Sequence, residues 1–307
     1  MNEEVINKRE SSSSLIGLVK GLIKLIRPRQ WVKNLFVLAP VVFSKNLMNL
    51  NLFSKAVAAF VLFSLASGVV YIFNDLKDVD ADRNHPVKKN RPVASGEISV
   101  FVGKIYLGVM TIGVLTGGWF IGVAFLLYIC GYLVLNFFYT VYLKRVPYLD
   151  VACISCGFLL RVLSGAAVVE VKPSIWLMIC TGLLAAYLGL GKRAFELRLL
   201  GGKAAGHRSV LSKYKRKHLQ IALHLLGFMT VGAYFLYTRA PHTVRFFGTQ
   251  DLVWTTIFPA IGMFRFWQLL ERGDSMAGPT EEMLKDPVFL INMVGWIASV
   301  LCVIYFF

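Results

Sequence analysis

Charged residues are scarce in this 307-residue chain. Asp, Glu, Lys and Arg make up 16% of it, whereas a soluble globular domain carries about 25%. Acidic residues are the scarcer kind, since 17 of them face 33 basic residues and leave a net charge of +16. Hydrophobic residues account for 56% of the chain. This composition argues against a water-soluble globule and indicates a membrane protein.

Cysteine and histidine are also few, with five of each. All five cysteines lie in apolar stretches, and the pair Cys153 and Cys156 lacks the second Cys or His pair that a structural zinc site needs. The sequence presents no Ser-His-Asp or Cys-His pattern typical of nucleophilic catalysis. We therefore expect neither a zinc site nor a hydrolytic triad, and we expect the cysteines to be small apolar packing residues.

Long apolar stretches make up most of the chain. At about 20 residues for each helical crossing of a bilayer, they predict an all-α polytopic membrane protein of about nine transmembrane helices around a central cavity. The first stretch is the least regular, because Pro40 and Lys45 interrupt it. The nine stretches are residues 32–49, 52–73, 100–117, 118–141, 149–169, 174–191, 219–237, 252–270 and 288–307.

The basic residues are distributed unevenly between the two sets of connecting segments. One set contains 25 Lys and Arg residues and the other contains five. Because cytoplasmic segments are enriched in Lys and Arg, this asymmetry predicts a cytoplasmic N-terminus and an inner (plasma) membrane protein whose active site faces the cytoplasm. The basic segments are residues 1–33, 76–99, 142–148, 192–218 and 271–287.

The same pattern predicts the domain organisation and the partners. Residues 1–24 form a polar N-terminal tail and the start of an interfacial segment, and residues 25–307 form a single transmembrane domain. In a membrane protein, excess positive charge serves topology, anionic lipids or anionic substrates. We therefore expect membrane lipids and no nucleic acid among the partners.

The clearest chemical signal begins where the second apolar stretch ends. Residues 74–86 read Asn-Asp-Leu-Lys-Asp-Val-Asp-Ala-Asp-Arg-Asn-His-Pro. Helical spacing places Asn74, Asp78 and Asp82 on one face, where carboxylates repel unless a cation compensates them. Oxygen ligands suit Mg²⁺, which substrate phosphates commonly complete. The pattern predicts a site for Mg²⁺ and a diphosphate, with a solvated acidic helix end as the alternative.

Basic and amide side chains flank this acidic segment on both sides. Arg and Lys side chains are the usual donors to phosphate oxygens. The upstream group alternatively anchors an interfacial helix to anionic headgroups. The candidate phosphate donors are Arg27, Arg29, Lys33 and Asn34 upstream, and Arg83, Lys88 and Arg91 downstream.

A second set of polar residues lies at later span ends. Arg161 stands inside the fifth apolar stretch, where a charge needs a polar cavity or a partner carboxylate. A buried ion pair and a substrate contact both explain it. Arg193 and Glu196 are three residues apart, which also permits a simple helical salt bridge. The candidate substrate-binding residues in this set are Tyr142, Lys144, Asp150, Arg161, Lys192 and Arg193.

The acidic segment resembles the first signature of the UbiA-type intramembrane prenyltransferase superfamily. That signature, Asn-Asp-x-x-Asp-x-x-x-Asp, is matched by Asn74, Asp75, Asp78 and Asp82. The second signature is usually a Tyr/Lys-rich turn with acidic residues, and this chain keeps one acid there, Asp150. The segments at residues 27–34, 157–166 and 192–197 are similar to the branch of decaprenyl-phosphate phosphoribosyltransferases.

The resemblance implies an activity and a set of roles. It implies Mg²⁺-dependent transfer of a 5-phosphoribosyl group from phosphoribosyl diphosphate to a long-chain polyprenyl phosphate, for cell-wall arabinan precursors. It makes Asp75, Asp78 and Asp82 catalytic, and adds Asn74 to them as metal ligands. An aromatic prenyltransferase and, from a different class, a lipid transporter are the alternatives, and homo-oligomerisation is left open.

Overall fold

The structure is a computed structural model of the chain, and it describes residues 15–200, 214–272 and 282–306. All regular secondary structure in these ranges is helical, which confirms the predicted all-α class. Four 3₁₀ segments connect the α-helices, at Pro28–Val37, Lys88–Asn90, Leu143–Arg145 and Asp251–Thr256. The α-helices are α1 (15–25), α2 (Ala39–Phe43), α3 (Leu50–Lys77), α4 (Val79–Arg83), α5 (Val100–Ile121), α6 (Val123–Val141), α7 (Leu149–Val168), α8 (Ile175–Leu200), α9 (Arg216–Arg239), α10 (Pro241–Phe247), α11 (Ile257–Arg272) and α12 (Pro287–Phe306).

Local sequence explains several helix boundaries. The side chain of Asn49 accepts a hydrogen bond from the Leu52 N–H at 3.2 Å and so caps α3. The Ser99 hydroxyl does the same for the Val102 N–H at the start of α5. Helices α5 and α6 are separated at Gly122, whose φ of 151° is a conformation that side chains other than glycine rarely adopt.

Seven of the predicted spans are continuous helices long and apolar enough to cross a bilayer, and the other two are not. Those seven are α3, α5, α6, α7, α8, α9 and α12. The predicted span at 32–49 is divided between a 3₁₀ segment and the five-residue α2. The predicted span at 252–270 is divided between a 3₁₀ segment and α11, which has only 16 residues. The count of nine continuous spans is therefore not confirmed.

The chain folds into two compact units, each with its own core. The first contains residues 1–40, 49–137 and 163–171. In it, α1 and α3 pack together with the segment that follows α4, through buried Leu25, Ile72, Val93 and Ile98. This packing places the end of α3 beside the chain that enters α5.

The second unit contains residues 41–48, 138–162 and 172–307. Helices α8, α9 and α11 form one core there, with Tyr187, Leu223 and Phe266 among its buried residues. A smaller cluster around Tyr237, Leu252 and Ile304 joins α9 to α12. The first of these cores includes Leu190 and Phe195 near the C-terminal end of α8, on either side of the predicted site residues Lys192 and Arg193.

Candidate functional site

The acidic segment is not one continuous helix. Helix α3 ends at Lys77, Asp78 has φ −101° and ψ 13°, and the short α4 follows. The prediction that Asn74, Asp78 and Asp82 share one helix face was therefore wrong in its assumption of an uninterrupted helix. The two acids that share a partner are Asp75 and Asp82.

Arg91 links these two acids. Its Nη1 lies 3.1 Å from Oδ1 of Asp75 and 2.5 Å from Oδ2 of Asp82. The side chains of Asp75 and Asp82 are 1% and 4% exposed, whereas that of Arg91 is 25% exposed. Buried carboxylates require a charged partner. The guanidinium of Arg91 supplies that charge from the solvent side of the pair.

Arg27 is a second partner of Asp75. Its Nη2 donates a hydrogen bond to the Oδ1 atom that Arg91 also contacts. Its guanidinium carbon lies 4.8 Å from the centre of the Tyr71 ring, a cation–π arrangement. The backbone of Arg27 has φ 49°, a left-handed conformation that is unusual for a residue with a side chain. This turn between α1 and the first 3₁₀ segment directs the side chain at the acids.

The acidic site has a donor set that suits Mg²⁺. Oδ2 of Asp75 is buried and has no hydrogen-bond partner among the described residues, and carboxylate oxygens are the ligands that Mg²⁺ prefers. Within the described ranges, no three His, Cys, Asp or Glu side chains converge on one point. The two buried acids and the unpartnered oxygen fit a divalent cation, which Asn74 and Asp78 on the same segment could help to hold.

The other predicted phosphate donors of the first unit occupy different surroundings. Arg83 is 52% exposed and pairs with the exposed Asp80 at 3.2 Å. Arg29 and Lys88 are exposed and Lys33 is half-buried. The structure therefore joins two of the predicted basic residues, Arg27 and Arg91, directly to the acids.

Asn34 has a structural role in this structure. Its side chain is fully buried, and its Nδ2 donates to the Ser64 hydroxyl at 3.0 Å. Its Oδ1 accepts from the Ser67 hydroxyl at 3.2 Å. Both serines belong to α3. Asn34 thus fastens the 3₁₀ segment Pro28–Val37 to α3, and its complete burial leaves no exposed surface for the direct substrate contact predicted for it.

The second unit contains a buried ion-pair cluster around Arg193. Nε of Arg193 lies 2.8 Å from Oδ2 of Asp150, and both side chains are at most 1% exposed. The N–H of that nitrogen does not point along the line to the oxygen, so the contact is an ion pair and not a hydrogen bond. Nη1 of Arg193 also donates to Glu196. The helical Arg193–Glu196 pair expected from the sequence is present, and Asp150 joins it.

Tyr214 completes this cluster, although it was not among the site residues predicted from the sequence. Its hydroxyl donates to Oδ1 of Asp150 at 2.6 Å and accepts the N–H of Tyr148 at 2.6 Å. Burial, and then the bond to Asp150, raises the pKa of Tyr214, so the phenol keeps its proton. Tyr214 is an aromatic residue within a run of lysines and arginines, which is the one available signal.

The remaining candidates of the second unit have different surroundings. Arg161 is 6% exposed, donates to the Gly157 carbonyl at 2.8 Å and stacks on Phe158. Tyr142 is 63% exposed and Lys192 is exposed, whereas Lys144 is half-buried. The hydrogen bond to the Gly157 carbonyl therefore offsets part of the cost of burying the Arg161 charge.

The two clusters lie in the part of the chain that matches a known protein family. Residues 36–280 match the UbiA prenyltransferase family. The chain belongs to this family. That match contains Asp75, Asp82 and Arg91 and also Asp150, Arg193 and Tyr214, so both clusters lie within the UbiA region and only Arg27 precedes it.

Curated UbiA relatives extend the similarity to nearly the whole chain. The decaprenyl-phosphate phosphoribosyltransferase of Mycolicibacterium smegmatis is 31% identical over 301 residues, which cover 94% of each chain. The enzyme of the same name from Corynebacterium glutamicum is 30% identical over 300 residues, covering 94% of this chain and 88% of that one. These relatives confirm the predicted branch of the superfamily.

Solved structures show the same fold. A UbiA homologue from Archaeoglobus fulgidus bound to GPP and Mg²⁺ superimposes with a TM-score of 0.71 at 20% identity, covering 92% of this chain and 99% of that one. A structure of digeranylgeranylglyceryl phosphate synthase gives a TM-score of 0.61 at 20% identity, with 94% and 97% of the two chains covered. The UbiA fold is thus established by structure as well as by sequence.

Proposed function

We propose that this protein transfers a 5-phosphoribosyl group from phosphoribosyl diphosphate to a long-chain polyprenyl phosphate and releases diphosphate. The observation that carries the proposal is the full-length similarity, at 30–31% identity, to relatives named decaprenyl-phosphate phosphoribosyltransferase. The buried pair of Asp75 and Asp82, bridged by Arg91, supports a site for a diphosphate with a divalent cation.

The acidic segment would hold Mg²⁺ through Asp75, Asp82, Asn74 and Asp78. Bound there, Mg²⁺ would neutralise charge on the diphosphate leaving group. The chain's own contribution is positioning, because the two buried acids are held by arginines and have little freedom to rotate. Arg27 and Arg91 reach the same point and offer N–H groups to diphosphate oxygens.

The reaction makes one bond and breaks one. A phosphate oxygen of the polyprenyl phosphate attacks the anomeric carbon of the ribose, and the bond from that carbon to the diphosphate oxygen breaks, its electron pair leaving with the diphosphate. The attacking phosphate is already anionic at neutral pH, so no strong general base is required. Orientation and charge balance therefore dominate catalysis at this site.

The membrane setting follows from the same proposal. Seven span-capable helices support a multi-pass membrane protein, and the excess of basic residues in one set of segments supports an active site on the cytoplasmic side of the inner membrane. A polyprenyl chain would lie among apolar helices with its phosphate at the interface. The predicted central cavity and the role in arabinan precursor synthesis belong to this proposal.

A transfer assay tests the function. The full-length protein in detergent is incubated with Mg²⁺, labelled phosphoribosyl diphosphate and polyprenyl monophosphate, and the lipid extract is analysed by mass spectrometry. We expect a phosphoribosylated lipid and an equal amount of diphosphate. A parallel reaction contains prenyl diphosphate and an aromatic acceptor. Product only in that second reaction would replace the proposal with an aromatic prenyltransferase.

A further inference from the structure

The side chains of Arg91 and of the two acids it contacts differ in their exposed fraction. Asp75 at the end of α3 and Asp82 in α4 are almost completely buried, whereas a quarter of the Arg91 side chain is exposed. The guanidinium can therefore move into solvent without moving either acid. The two carboxylates are almost completely covered while Arg91 is in place.

The charges of the four side chains in direct contact cancel. Asp75 and Asp82 carry two negative charges, and their partners Arg27 and Arg91 carry two positive charges. A divalent cation added to these four groups would leave a net charge of +2 in a site of low dielectric constant, which is strongly unfavourable. A cation that arrives with a diphosphate avoids this cost, because the released guanidinium can pair with diphosphate oxygens.

The two arginines differ in how firmly they are held. Arg27 stacks on the Tyr71 ring and starts the segment that Asn34 fastens to α3. Arg91 lies at the end of the short Lys88–Asn90 turn, and its Nη1 makes both carboxylate contacts. A single atom that bridges two acids loses both contacts in one rotation of the side chain. Arg91 is therefore the residue suited to exchange.

We propose that Arg91 is a substrate-binding residue that pairs with the carboxylates of Asp75 and Asp82 in the ligand-free protein and exchanges from them to the diphosphate when cation and diphosphate bind together. The proposal rests on the proposed function in one respect, which is that a diphosphate binds at this site. Its consequence is energetic coupling, since the cation binds weakly alone and tightly with the anion.

Metal binding without turnover tests the exchange. Mn²⁺ binding to the full-length protein in detergent is measured by electron paramagnetic resonance, with and without inorganic diphosphate, after correction for the soluble Mn²⁺–diphosphate complex. For the wild type we expect diphosphate to tighten Mn²⁺ binding at least about tenfold. For Arg91→Gln we expect Mn²⁺ alone to bind about tenfold more tightly than to the wild type, and the gain from diphosphate to shrink.

Matched variants separate this effect from a general change of charge. Lys24→Gln removes the same charge from an exposed ion pair with Glu97 in the same unit, and we expect wild-type Mn²⁺ binding. Arg91→Gln leaves an unbalanced buried carboxylate and can fail to fold. Asp82→Asn with Arg91→Gln restores neutrality, and we expect it to bind Mn²⁺ more tightly than Asp82→Asn alone.

The outcomes decide between the proposals. Unchanged or weaker Mn²⁺ binding to Arg91→Gln, or to the double variant relative to Asp82→Asn, would overturn the exchange, as would equal Mn²⁺ affinity of the wild type with and without diphosphate. Coupling of Mn²⁺ and inorganic diphosphate in a protein that transfers no phosphoribosyl group would support the exchange and overturn the proposed function. Phosphoribosyl transfer by a protein in which Mn²⁺ and diphosphate bind without coupling would overturn the exchange and support the proposed function.

Discussion

Gly165 in α7 faces the carbonyl oxygen of Val37 so closely that a Cβ atom on this glycine would lie 1.9 Å from that oxygen. Backbone therefore packs directly on backbone where the end of the first 3₁₀ segment meets α7. The neighbouring atom belongs to the main chain and cannot rotate away. The position admits only glycine, and it sets the place of the segment that carries Arg27 and Asn34.

Gly165→Ala should destabilise the protein severely. We expect a cost of about 3 kcal/mol or more, since overpacking typically costs 1–3 kcal/mol and the backbone here has no space to relax. Thermal unfolding in detergent measures the effect. Gly113→Ala is the control, because a Cβ there meets no atom within 4 Å, and it should unfold at the wild-type temperature or above it. Equal unfolding temperatures for the two variants would contradict the packing argument.

Asp75→Asn should reduce phosphoribosyl transfer by about 100-fold, because it removes a charge at the point where the diphosphate charge develops. The measurement is the initial rate of lipid product formation at saturating Mg²⁺. Asp80→Asn changes the same kind of residue five positions along the chain, where the side chain is 87% exposed. We expect it to keep the wild-type rate. Similar losses in both variants would show that general charge, and not the buried site, matters.

Arg193→Leu should be more destabilising than Asp150→Asn. Loss of the guanidinium leaves Asp150 buried and unpaired, at a cost of about 3–5 kcal/mol. Asp150→Asn leaves Arg193 paired with Glu196 and leaves an oxygen that can accept from Tyr214. Thermal unfolding temperatures in detergent give the order. Arg198→Gln, which removes an exposed pair with Glu271 and a hydrogen bond to the Leu270 carbonyl, should cost about 1 kcal/mol.

Tyr214→Phe should loosen the segment that precedes α9. It removes a donor to Asp150 and an acceptor for the Tyr148 N–H, and one hydrogen bond to a charged group contributes about 1.5–3 kcal/mol. Limited proteolysis should cut the variant faster than the wild type near residue 214. Tyr142→Phe changes an exposed tyrosine and should be cut at the wild-type rate. Equal cleavage rates for all three proteins would show that the Tyr214 hydroxyl does not stabilise this segment.

The pair of Arg265 and Asp286 predicts acid sensitivity. Nε and Nη2 of Arg265 contact the two carboxylate oxygens at 3.0 and 2.6 Å, and these bonds lower the pKa of Asp286. Because the folded-state pKa lies below the ordinary value of about 3.9, the stabilisation is present above that pH and is lost as the pH falls through the folded-state pKa.

Thermal unfolding at a series of pH values from 6 to 3 measures this loss. Asp286→Asn is neutral at every pH and lacks the ion pair. Its unfolding temperature should lie below that of the wild type at pH 6, and the difference should shrink as the pH falls below about 4. A difference that stays constant over the whole range would show that ionisation of Asp286 contributes nothing.

The acidic site was predictable in its composition but not in its pairing. The Asn-Asp-x-x-Asp-x-x-x-Asp spacing identifies the carboxylates, because clustered acids at a span end need a cation. The uninterrupted helix assumed for this segment was wrong at Asp78, since the end of a helix depends on how the following chain packs. The Arg193–Glu196 pair was predicted because the two residues are three positions apart on a helix. Asp150 lies more than 40 residues from Arg193, so no local spacing predicts their contact.

The sequence by itself determined the all-helical membrane architecture, the family and the acidic segment. Hydropathy, the abundance of Lys and Arg in one set of segments, and short motifs are all local properties of the chain. Only the tertiary structure decided that Arg27 and Arg91 converge on Asp75, that Tyr214 binds Asp150, and that Val37 allows nothing larger than glycine at position 165. These are contacts between distant residues, and packing selects them from many arrangements that the same local pattern permits.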